Sequence, residues 1–414
     1  MNTRRIVVTG MGVVSPGGLG LKKHWETLKN GVSCVKTITR FDTGKLNTKF
    51  AAEIQGFNAG DYMFKTDIDK YDRAHHLLVA AVRFAAKDAG YDIGSMDLGR
   101  MPFFAGMGIA SAFRYEREFF NYFEKGADSI NPDLYPYWLP ENTLSVLAEE
   151  FGFGGEMNIF STGCTASTDA IGNAYRFIKA GRADIAFAGG TEAPVTEATI
   201  MSFNALRAVS TRNEAPEKAS RPFDKMRDGF VLGEGAAALI LEEYERAKAR
   251  GASIYGEICG FAMTANAHHM TAPEPAPEQS AQAVYLALKE GNIEGSIPDY
   301  ICAHGSSTQL NGKSETRTFK KAFGEAVYGI PVSSIKSMIG HTLGSAGAMQ
   351  AIACLMAIRE GLIPPTINYE YPDPECDLDY VPNTARPAKV RLAMVNTTGF
   401  SGRNAALFLK GAGA

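Results

Sequence analysis

The sequence predicts an α/β protein in which helices and sheets are stacked in layers. Short apolar runs of strand type alternate with segments whose apolar residues recur at spacings of three and four, and this alternation occurs in both halves of the chain. With 414 residues the chain is also too long for one simple core. We therefore predict two similar halves, residues 1–250 and 251–414, from the order of the elements, since no direct sequence repeat is visible.

In the N-terminal half, apolar periodicity and glycine positions define the elements. Apolar runs predict strands over 5–14, 103–107, 157–160, 184–189 and 236–241, with a turn inside the first of them. Apolar residues at helical spacing predict helices over 25–28, 73–89, 166–178 and 242–250. Gly90 and Gly181 follow two of these helices and are the expected stops.

The C-terminal half repeats the alternation. The same patterns predict helices over 280–290, 314–323 and 343–359, and strands over 300–303, 332–335, 392–395 and 405–409. The last two strands are joined by the segment TTGFSGRN. Because loops at the carboxyl ends of strands build the sites of α/β folds, polar residues that directly follow these strands are the first candidates for function.

The composition is that of an ordinary globular protein and argues against several classes of function. Hydrophobic residues make up 45% of the chain and charged residues 21%. The formal net charge of −3 gives no overall basic field that would attract nucleic acid. The six cysteines are scattered without a CxxC pair, so neither a zinc site nor a disulfide framework is expected. Finding no signal peptide and no membrane-spanning apolar run, we expect a cytoplasmic protein.

Nine aromatic side chains crowd into one stretch of the N-terminal half. They are Phe113, Tyr115, Phe119, Phe120, Tyr122, Phe123, Tyr135, Tyr137 and Trp138. A helix facing only water would not carry so many rings, so we predict that they line a core, a subunit interface or an apolar ligand tunnel. For any single ring, the core or the interface is favoured over direct contact with a ligand.

Cys164 is the first candidate for chemistry, because it lies at the turn between the strand 157–160 and the following helix. The unpaired N–H groups and the dipole of a helix N-terminus favour an anion there. A free thiol has a pKa of roughly 8.5, and such a position lowers it by about one unit or more. The sequence therefore predicts a nucleophilic thiolate, and the alternative is a buried structural cysteine.

Two histidines are placed in the sequence as Cys164 is, directly after a predicted strand. His304 and His341 each follow a short strand, at the start of a loop. A cysteine and two imidazoles form a set for covalent catalysis, in which the thiolate attacks an acyl group and the imidazoles move protons or stabilise an oxyanion. Metal binding is the competing use of these residue types. No closely spaced ligand pair such as HxxxH accompanies them, and we expect no metal.

Four motifs in this chain resemble those of the β-ketoacyl synthases, which are decarboxylating condensing enzymes of the thiolase superfamily. The motifs are STGCTAS around Cys164, AHGSST at 303–308, SSIKSMIGH ending at His341, and the pair Gly399–Phe400. The resemblance covers essentially the full length and implies a thiolase-like fold, a duplicated αβαβα sandwich. RNEAPEKASRPFDKMRDGFVLGEGAA, NAHHMTAP and PDPECDLDYVP are more similar to the ketosynthase α subunit of bacterial type II polyketide synthases than to a fatty-acid enzyme.

The resemblance implies a role for each matching residue. Cys164 holds the growing chain as a thioester, while His304 and His341 bind the malonyl thioester and promote loss of CO2. Lys336 supports the histidine region, and Glu315 is its acidic partner. The backbone N–H groups of Cys164 and Phe400 form the oxyanion hole. Gly399 belongs to the same oxyanion hole and gate, and Phe400 also gates the acyl pocket. The hydroxyl residues implied for holding the phosphopantetheine arm are Ser306, Thr308 and Thr271.

The chain departs from the family pattern at a few positions near these loops. The family usually has Asp where this chain has Gly312, and its glycine-rich end usually reads GFGGTN where this chain has GFSGRN, with Ser401 and Arg403. A degradative thiolase has a second catalytic cysteine near its C-terminus, and this chain has none beyond Cys376. The departures bear on loop geometry and substrate preference, and the Cys–His–His set is intact.

We therefore expect decarboxylative Claisen condensation of a malonyl unit with a Cys-bound chain, both delivered by an acyl carrier protein, as in polyketide antibiotic biosynthesis. The alternatives are 3-oxoacyl carrier protein synthase II of fatty-acid elongation, a non-catalytic chain-length-factor-like partner, which Cys164 disfavours, and an acyl-binding scaffold. No intrinsic cofactor is expected, because the phosphopantetheine arm arrives with the carrier. The expected partners are that carrier and a chain-length factor in a heterodimer, with a homodimer as the alternative. The candidate docking residues are Lys65, Lys70, Arg73, Arg207 and Arg212.

Overall fold

The computed structural model describes residues 4–109, 111–132, 134–135 and 139–413. The helices in these ranges are α1 Leu21–Lys29, α2 Arg73–Asp88, α3 Ala112–Lys125, α4 Asn142–Phe151, α5 Ala166–Lys179, α6 Glu197–Ala205, α7 Tyr244–Ala249, α8 Glu278–Glu290, α9 Gln309–Phe323, α10 Lys336–Ile339 and α11 Ala346–Glu360. Within the described part of the chain, none of them has the length and apolar character needed to cross a membrane.

The strands of the main sheet fall into two sets of five. The N-terminal set is β1 Ile6–Ser15, β5 Phe103–Gly106, β6 Met157–Phe160, β7 Ile185–Glu192 and β8 Gly235–Glu243. The C-terminal set is β9 Gly256–Ala265, β10 Tyr300–Cys302, β11 Val332–Ser333, β14 Leu392–Thr398 and β15 Arg403–Lys410. The remaining short strands are β2 Gly18–Leu19, β3 Lys36–Thr37, β4 Phe50–Ala51, β12 Leu362–Ile363 and β13 Arg386–Pro387.

The two sets have the same topology, which confirms the predicted duplication. The N-terminal order is β6-β5-β7-β8-β1 and the C-terminal order is β11-β10-β14-β15-β9, so each places its third, second, fourth, fifth and first strands side by side. In each set the first two pairings in this order are parallel, and the last two are antiparallel. A short antiparallel pairing of β1 with β9 joins the two sets.

Helices cover both faces of these sheets and form the predicted layers. In the centre, α5 packs against β5 and β7, α11 packs against β10 and β14, and the two helices contact each other. On the outer faces, α2 covers β1 and β8, while α8 covers β9 and β15. The central apolar cluster includes buried residues of both α5 and α11, among them Ile171 and Ile352. The two helices that follow the Cys164 turn and the His341 loop therefore lie in the centre of the fold.

The first strand differs from its prediction. The expected strand, turn and second run over 5–14 form one continuous buried strand, β1. Its two glycines do not make a turn but let α2 approach the sheet closely. A Cβ atom on Gly12 would lie 1.9 Å from the carbonyl oxygen of Ala81, and one on Gly10 would lie 2.4 Å from that of Ala85. The two glycines, which predicted a turn, are therefore needed for the close packing of α2 against the strand.

The aromatic stretch is largely a surface of the single chain. Phe113 packs on the N-terminal core, but Phe119, Phe120, Tyr122 and Phe123 of α3 are exposed, Phe123 to 77%. The exposure rules out a place in this chain's core for these four rings. Tyr135 is also exposed, while Tyr137 and Trp138 lie outside the described residues.

Candidate active site

Cys164 lies in a tight turn, Gly163–Thr165, that leads directly into α5. Its sulfur is within hydrogen-bonding reach of two backbone N–H groups, its own and that of Phe400. Gly399 brings the second of these close, because a Cβ atom on Gly399 would lie only 3.3 Å from the Cys164 nitrogen. The strand-to-helix turn predicted for Cys164 is confirmed, and two N–H groups converge where an oxyanion could be stabilised.

The electrostatics of Cys164 contradict the sequence-based expectation. Burial raises the pKa of the Cys164 thiol to about 12, because a thiolate is poorly solvated in this cavity. The Lys336 ammonium and the two N–H groups act in the opposite direction, while the Glu192 carboxylate adds to the rise. The expected lowering of the pKa by the helix N-terminus is therefore wrong, since desolvation outweighs the helix terminus.

His304 and His341 come together beside Cys164. Their ring centroids are 5.1 Å apart and the rings are nearly perpendicular, with an interplanar angle of 82°. His304 follows β10 after one residue, and His341 is held against the 231–233 segment, where its N–H donates to the carbonyl of Val231 at 2.7 Å. Both rings line the same cavity as Cys164, so the structure brings the three predicted residues together.

Both imidazoles are neutral at physiological pH. Burial and the positive charge of Lys336 hold the pKa of His304 and that of His341 well below the usual value. Nδ1 of His341 accepts the N–H of Leu343 at 3.2 Å, so in the neutral ring the proton sits on Nε2. Nδ1 of His304 is buried without a hydrogen-bond partner. The pair can therefore donate hydrogen bonds without carrying charge.

Lys336 lies behind the histidines and is almost completely buried. Its Nζ donates to Oε1 of Gln350 at 3.2 Å, and burial lowers the pKa of the ammonium to about 8. Gln350 donates in turn to the carbonyl oxygens of Cys302, Ala303 and Asn396. The Gln350 amide therefore links Lys336 by hydrogen bonds to the ends of β10 and β14. These two strands precede the loops that carry His304 and Phe400.

Glu315, on α9, fixes the loop that carries His304. Its carboxylate accepts the N–H groups of His304 at 2.6 Å and Gly305 at 2.8 Å, and the side-chain amide of Asn396 at 2.7 Å. Burial raises the pKa of Glu315, while these donors and Lys336 oppose the rise. The carboxylate holds backbone N–H groups, so its contacts fit a structural partner of the histidine region.

The cavity that contains these groups has a volume of about 470 Å³. Phe400 and Phe203 flank it, with ring centroids 6.4 Å apart. Hydroxyl residues also line this cavity: the Ser306 and Thr308 oxygens are 3.1 Å apart, and Thr271 is a further lining residue. All three predicted hydroxyl residues therefore face the cavity of the nucleophile.

The five candidate docking residues do not form one basic surface. Arg207 lines the cavity and is exposed. Arg73, by contrast, pairs through both Nε and Nη2 with the buried Glu234, so its charge is already balanced within the chain. Lys70 pairs with Glu149 at 2.5 Å. Arg212 donates to the carbonyl of Met226 at 3.1 Å, and Lys65 is exposed.

Of the departures from the family pattern, Gly312 has a local structural reason and Ser401 does not. Gly312 faces the buried guanidinium of Arg227, and a Cβ atom at this position would lie 3.0 Å from the Arg227 Nε. That guanidinium also binds the carbonyls of Thr308 and Gln309, at the start of α9. Ser401 has a φ of 63°, in the left-handed region that favours glycine. Nothing in the structure explains Arg403.

Two polar residues of the site were missed in the sequence. Gln350 is the polar residue in the otherwise apolar run AGAMQAIACLMA, and that contrast was a usable signal. Glu192 ends the buried strand β7 and accepts three backbone N–H groups from two loops near Cys164. A carboxylate at the carboxyl end of an apolar strand was the available signal for it.

Comparison with known families gives two matches that cover most of the chain. Residues 3–247 match the family described as "Beta-ketoacyl synthase, N-terminal domain". Residues 255–370 match "Beta-ketoacyl synthase, C-terminal domain". The matched segments contain Cys164 in the first case and His304, Lys336 and His341 in the second.

Curated relatives and solved structures are similar over nearly the whole length. A "Putative polyketide beta-ketoacyl synthase 1" from Streptomyces halstedii is 41% identical, covering 99% of this chain and 98% of the relative. A "3-oxoacyl-[acyl-carrier-protein] synthase 2" from Synechocystis sp. is also 41% identical, covering 99% of both chains. The structure "The ishigamide ketosynthase/chain length factor" aligns with a TM-score of 0.91 at 35% identity, covering 99% of each chain. A type II polyketide synthase acyl-carrier protein in complex with its ketosynthase aligns at 0.89 and 35%, covering 99% of this chain and 100% of the other.

Proposed function

The chain belongs to the β-ketoacyl synthase family of condensing enzymes, and from that premise we propose that it joins an acyl chain held on Cys164 to a malonyl unit with loss of CO2. One observation supports this assignment most strongly. A single cavity combines the sulfur of Cys164, two converging N–H groups and the neutral side chains of His304 and His341. These are the groups that acyl transfer, enolate stabilisation and carbon–carbon bond formation require.

In the first step, Sγ of Cys164 attacks the thioester carbonyl of an acyl group on a pantetheine arm. The N–H groups of Cys164 and Phe400 donate hydrogen bonds to the oxyanion, and the bond to the pantetheine sulfur breaks. Because the resting thiol is protonated, its proton leaves during the attack and ends on the departing sulfur. The neutral imidazole of His304 lines the same cavity and can carry it, because Nε2 of His341 already holds a proton and its Nδ1 accepts the Leu343 N–H.

In the second step, the malonyl thioester loses CO2 and becomes an enolate. His304 and His341 donate hydrogen bonds to its oxygen from neutral rings, and the proton on Nε2 of His341 is fixed by the bond that Leu343 makes to Nδ1. Removing one such donor typically slows a reaction by roughly 10² to 10³. A neutral donor suits this step, because it stabilises the enolate without transferring a proton to its carbon.

In the third step, the enolate carbon attacks the carbonyl of the Cys164 thioester. The carbon–carbon bond forms, the carbon–sulfur bond breaks, and the sulfur leaves as a thiolate that takes up one proton. The thiolate is stabilised by the Lys336 ammonium. Per cycle, one CO2 is released, one proton is consumed and the thiol of Cys164 is regenerated.

The chain needs no cofactor of its own for this sequence, because the pantetheine arm arrives with the carrier protein. The hydroxyl groups of Ser306, Thr308 and Thr271 line the cavity and hold that arm. Thr308 is oriented as the N-cap of α9, and Ser306 is ordered by Asn311, whose Oδ1 accepts the Ser306 N–H at 2.8 Å. A carrier complex with a similar ketosynthase supports this assignment of substrate class.

The carrier docks at the cavity mouth, and Arg207 is the basic residue we assign to it. A carrier of this class is acidic, so a local positive charge steers it although this chain is slightly acidic overall. Arg207→Glu should weaken carrier binding, measured by titration calorimetry. Lys389→Glu, at an exposed lysine that is not a docking candidate and does not line the cavity, is the comparison. An equal loss in both variants would show that the effect is one of net charge.

We assign the apolar surface of α3, formed by Phe119, Phe120, Tyr122 and Phe123, to a subunit interface. The partner is a related chain of the chain-length-factor class, giving a heterodimer for polyketide synthesis. The relationship to a ketosynthase/chain length factor structure supports this choice. The second candidate is fatty-acid elongation by a homodimer, because a curated 3-oxoacyl carrier protein synthase 2 is as similar to this chain as a polyketide enzyme is.

The test is reconstitution with acyl and malonyl carrier proteins, with and without the related subunit, followed by mass spectrometry of protein and products. We expect an acyl adduct on Cys164, release of CO2 and an elongated β-keto product. Cys164→Ala should abolish the adduct and condensation while the circular dichroism spectrum is unchanged. A full acyl adduct on that variant would contradict the assignment of the nucleophile. Activity of the chain alone, unaffected by the related subunit, would favour the fatty-acid function.

A further inference from the structure

We propose that Glu192 is a positioning residue that holds two loops together behind Cys164 and, when ionised, places a negative charge near its sulfur. The proposal rests on the function assigned above, because its consequences are read at the acyl-accepting cysteine. Glu192 is the last residue of β7, and its side chain is completely buried. No role was predicted for it from the sequence.

The carboxylate of Glu192 binds two separate segments. Oε2 accepts the N–H of Gly108 at 2.7 Å and that of Gly344 at 2.9 Å, and Oε1 accepts the N–H of Ile109 at 2.9 Å. The first segment lies between β5 and α3, and the second directly follows the loop of His341. One side chain therefore joins a loop of the N-terminal half to a loop of the C-terminal half.

Two glycines allow this close approach. A Cβ atom on Gly108 or on Gly344 would lie 2.7 Å from Oε2 of Glu192, and the one on Gly344 would lie 2.4 Å from the Gly108 nitrogen. The Gly108 Cβ would also lie 3.6 Å from the Cα of Gly163, the residue before Cys164. Both loops therefore meet at the carboxylate, immediately behind the turn that carries the nucleophile.

The loops that Glu192 binds carry residues that contact Cys164 and His341. Ile109, Cys164 and Leu343 belong to one apolar cluster, so both loops contribute apolar side chains to the surroundings of Cys164. Leu343 also donates its N–H to Nδ1 of His341 at 3.2 Å, which sets the orientation of that ring. A shift of the Glu192 carboxylate would therefore move both the wall beside Cys164 and the ring that faces it.

The charge of Glu192 has its own effect. Burial raises the pKa of Glu192 to about 8, and the carboxylate of Asp72 adds to the rise, while the three N–H groups oppose it. Glu192 raises the pKa of the Cys164 thiol, and the Lys336 ammonium lowers it. As the pH rises through 8, Glu192 becomes ionised, and its charge increasingly disfavours the thiolate of Cys164.

The chain offers a matched control in Glu150. Its buried carboxylate also accepts three backbone N–H groups, those of Phe64, Lys65 and Thr66. It also pairs with Arg83 and does not line the cavity of Cys164. Glu150→Gln therefore removes a similar buried charge and similar loop contacts at a place where the proposal predicts no effect on the nucleophile.

The test compares Glu192→Gln with wild type and Glu150→Gln by the rate of iodoacetamide alkylation of Cys164, followed by peptide mass spectrometry at pH 7 and pH 9. At pH 9 we expect Glu192→Gln to react roughly threefold to tenfold faster than wild type, which corresponds to about half to one unit of pKa. At pH 7, where Glu192 is largely protonated, the ratio should fall towards one. A ratio that is the same at both pH values, or that Glu150→Gln reproduces, would overturn the proposal.

A second variant separates charge from geometry. Glu192→Asp keeps the charge but shortens the side chain, so we expect alkylation close to the wild-type rate together with slower acyl loading. It also keeps the proposal testable if Glu192→Gln fails to fold, because wild-type acyl loading by Glu192→Asp would overturn the positioning role. The alkylation readout needs no turnover. A wild-type protein that accepts no acyl group would refute the proposed function and leave the alkylation result to be judged separately.

Discussion

Alkylation of Cys164 tests the electrostatics of the site directly, because iodoacetamide reacts with the thiolate and not with the thiol. The structure gives this thiol a pKa of about 12, against an ordinary value of 9.0. At pH 8 the thiolate fraction is then about 10⁻⁴ instead of about 10⁻¹, so we expect alkylation about a thousandfold slower than for a free thiol. The logarithm of the rate should rise with pH up to at least 10, with a smaller slope near pH 8, where Glu192 ionises.

The assay is quantification of each alkylated peptide by mass spectrometry across pH 7 to 10. Cys34 is an internal reference, because it is also partly exposed and burial raises the pKa of its thiol to about 11. We expect Cys34 to be labelled before Cys164, and both to react at the free-thiol rate in guanidinium. The sequence alone predicts the opposite order. An inflection for Cys164 between pH 6 and 8 would refute the burial argument and restore the helix terminus as the dominant effect.

Three further predictions follow from the same contacts. His304→Ala and His341→Ala should each slow CO2 release from malonyl carrier protein by roughly 10² to 10³ while acyl loading of Cys164 is less affected, and wild-type release in both would make these histidines structural. Ser401→Gly should stabilise the fold by about 0.5–1 kcal/mol in guanidinium titrations, because relief of left-handed strain exceeds the added chain entropy, and a lower midpoint would contradict this. Lys336→Met should be more stable than wild type at pH 7 by about 3 kcal/mol, since burial lowers the pKa of the lysine from 10.5 to about 8 and each pKa unit is worth about 1.4 kcal/mol. Between these values the unfolded chain binds more protons, so wild-type stability rises with pH and the difference should shrink by pH 10, and a constant difference would contradict it.

Local signals in the sequence were sufficient to predict most of the fold. The strand 157–160, the turn at Cys164 and the helix after it are found as predicted, because apolar spacing and small residues at the turn are local properties. The strand β9 was missed, since GEICGFAMTA places glycines among its apolar residues and breaks the alternation. Helix α6 was missed as well, and its burial is slight, so it has little apolar periodicity to detect.

Properties that depend on contacts distant in sequence could not be predicted. Arg73 is the first residue of α2, and the sequence around it does not indicate that its side chain pairs with the distant Glu234. The same limit applies to Cys164, whose helix terminus is visible in the sequence while its burial depends on both halves of the chain. The family resemblance supplied roles for site residues, but it did not supply Gln350 or Glu192, whose contacts cross between distant segments.

The duplicated topology explains why a site forms at this place. In the centre of the fold, α5 begins just after Cys164, and α11 begins just after the loop of His341, so each half contributes one helix that starts at a reacting group. The two helices cross closely, since a Cβ atom on Gly347 of α11 would lie 1.9 Å from the Thr168 hydroxyl oxygen of α5. Neither half therefore contains the site by itself. The packing of the two central helices, which buries the thiol and raises its pKa, is also what brings the histidines within reach of its sulfur.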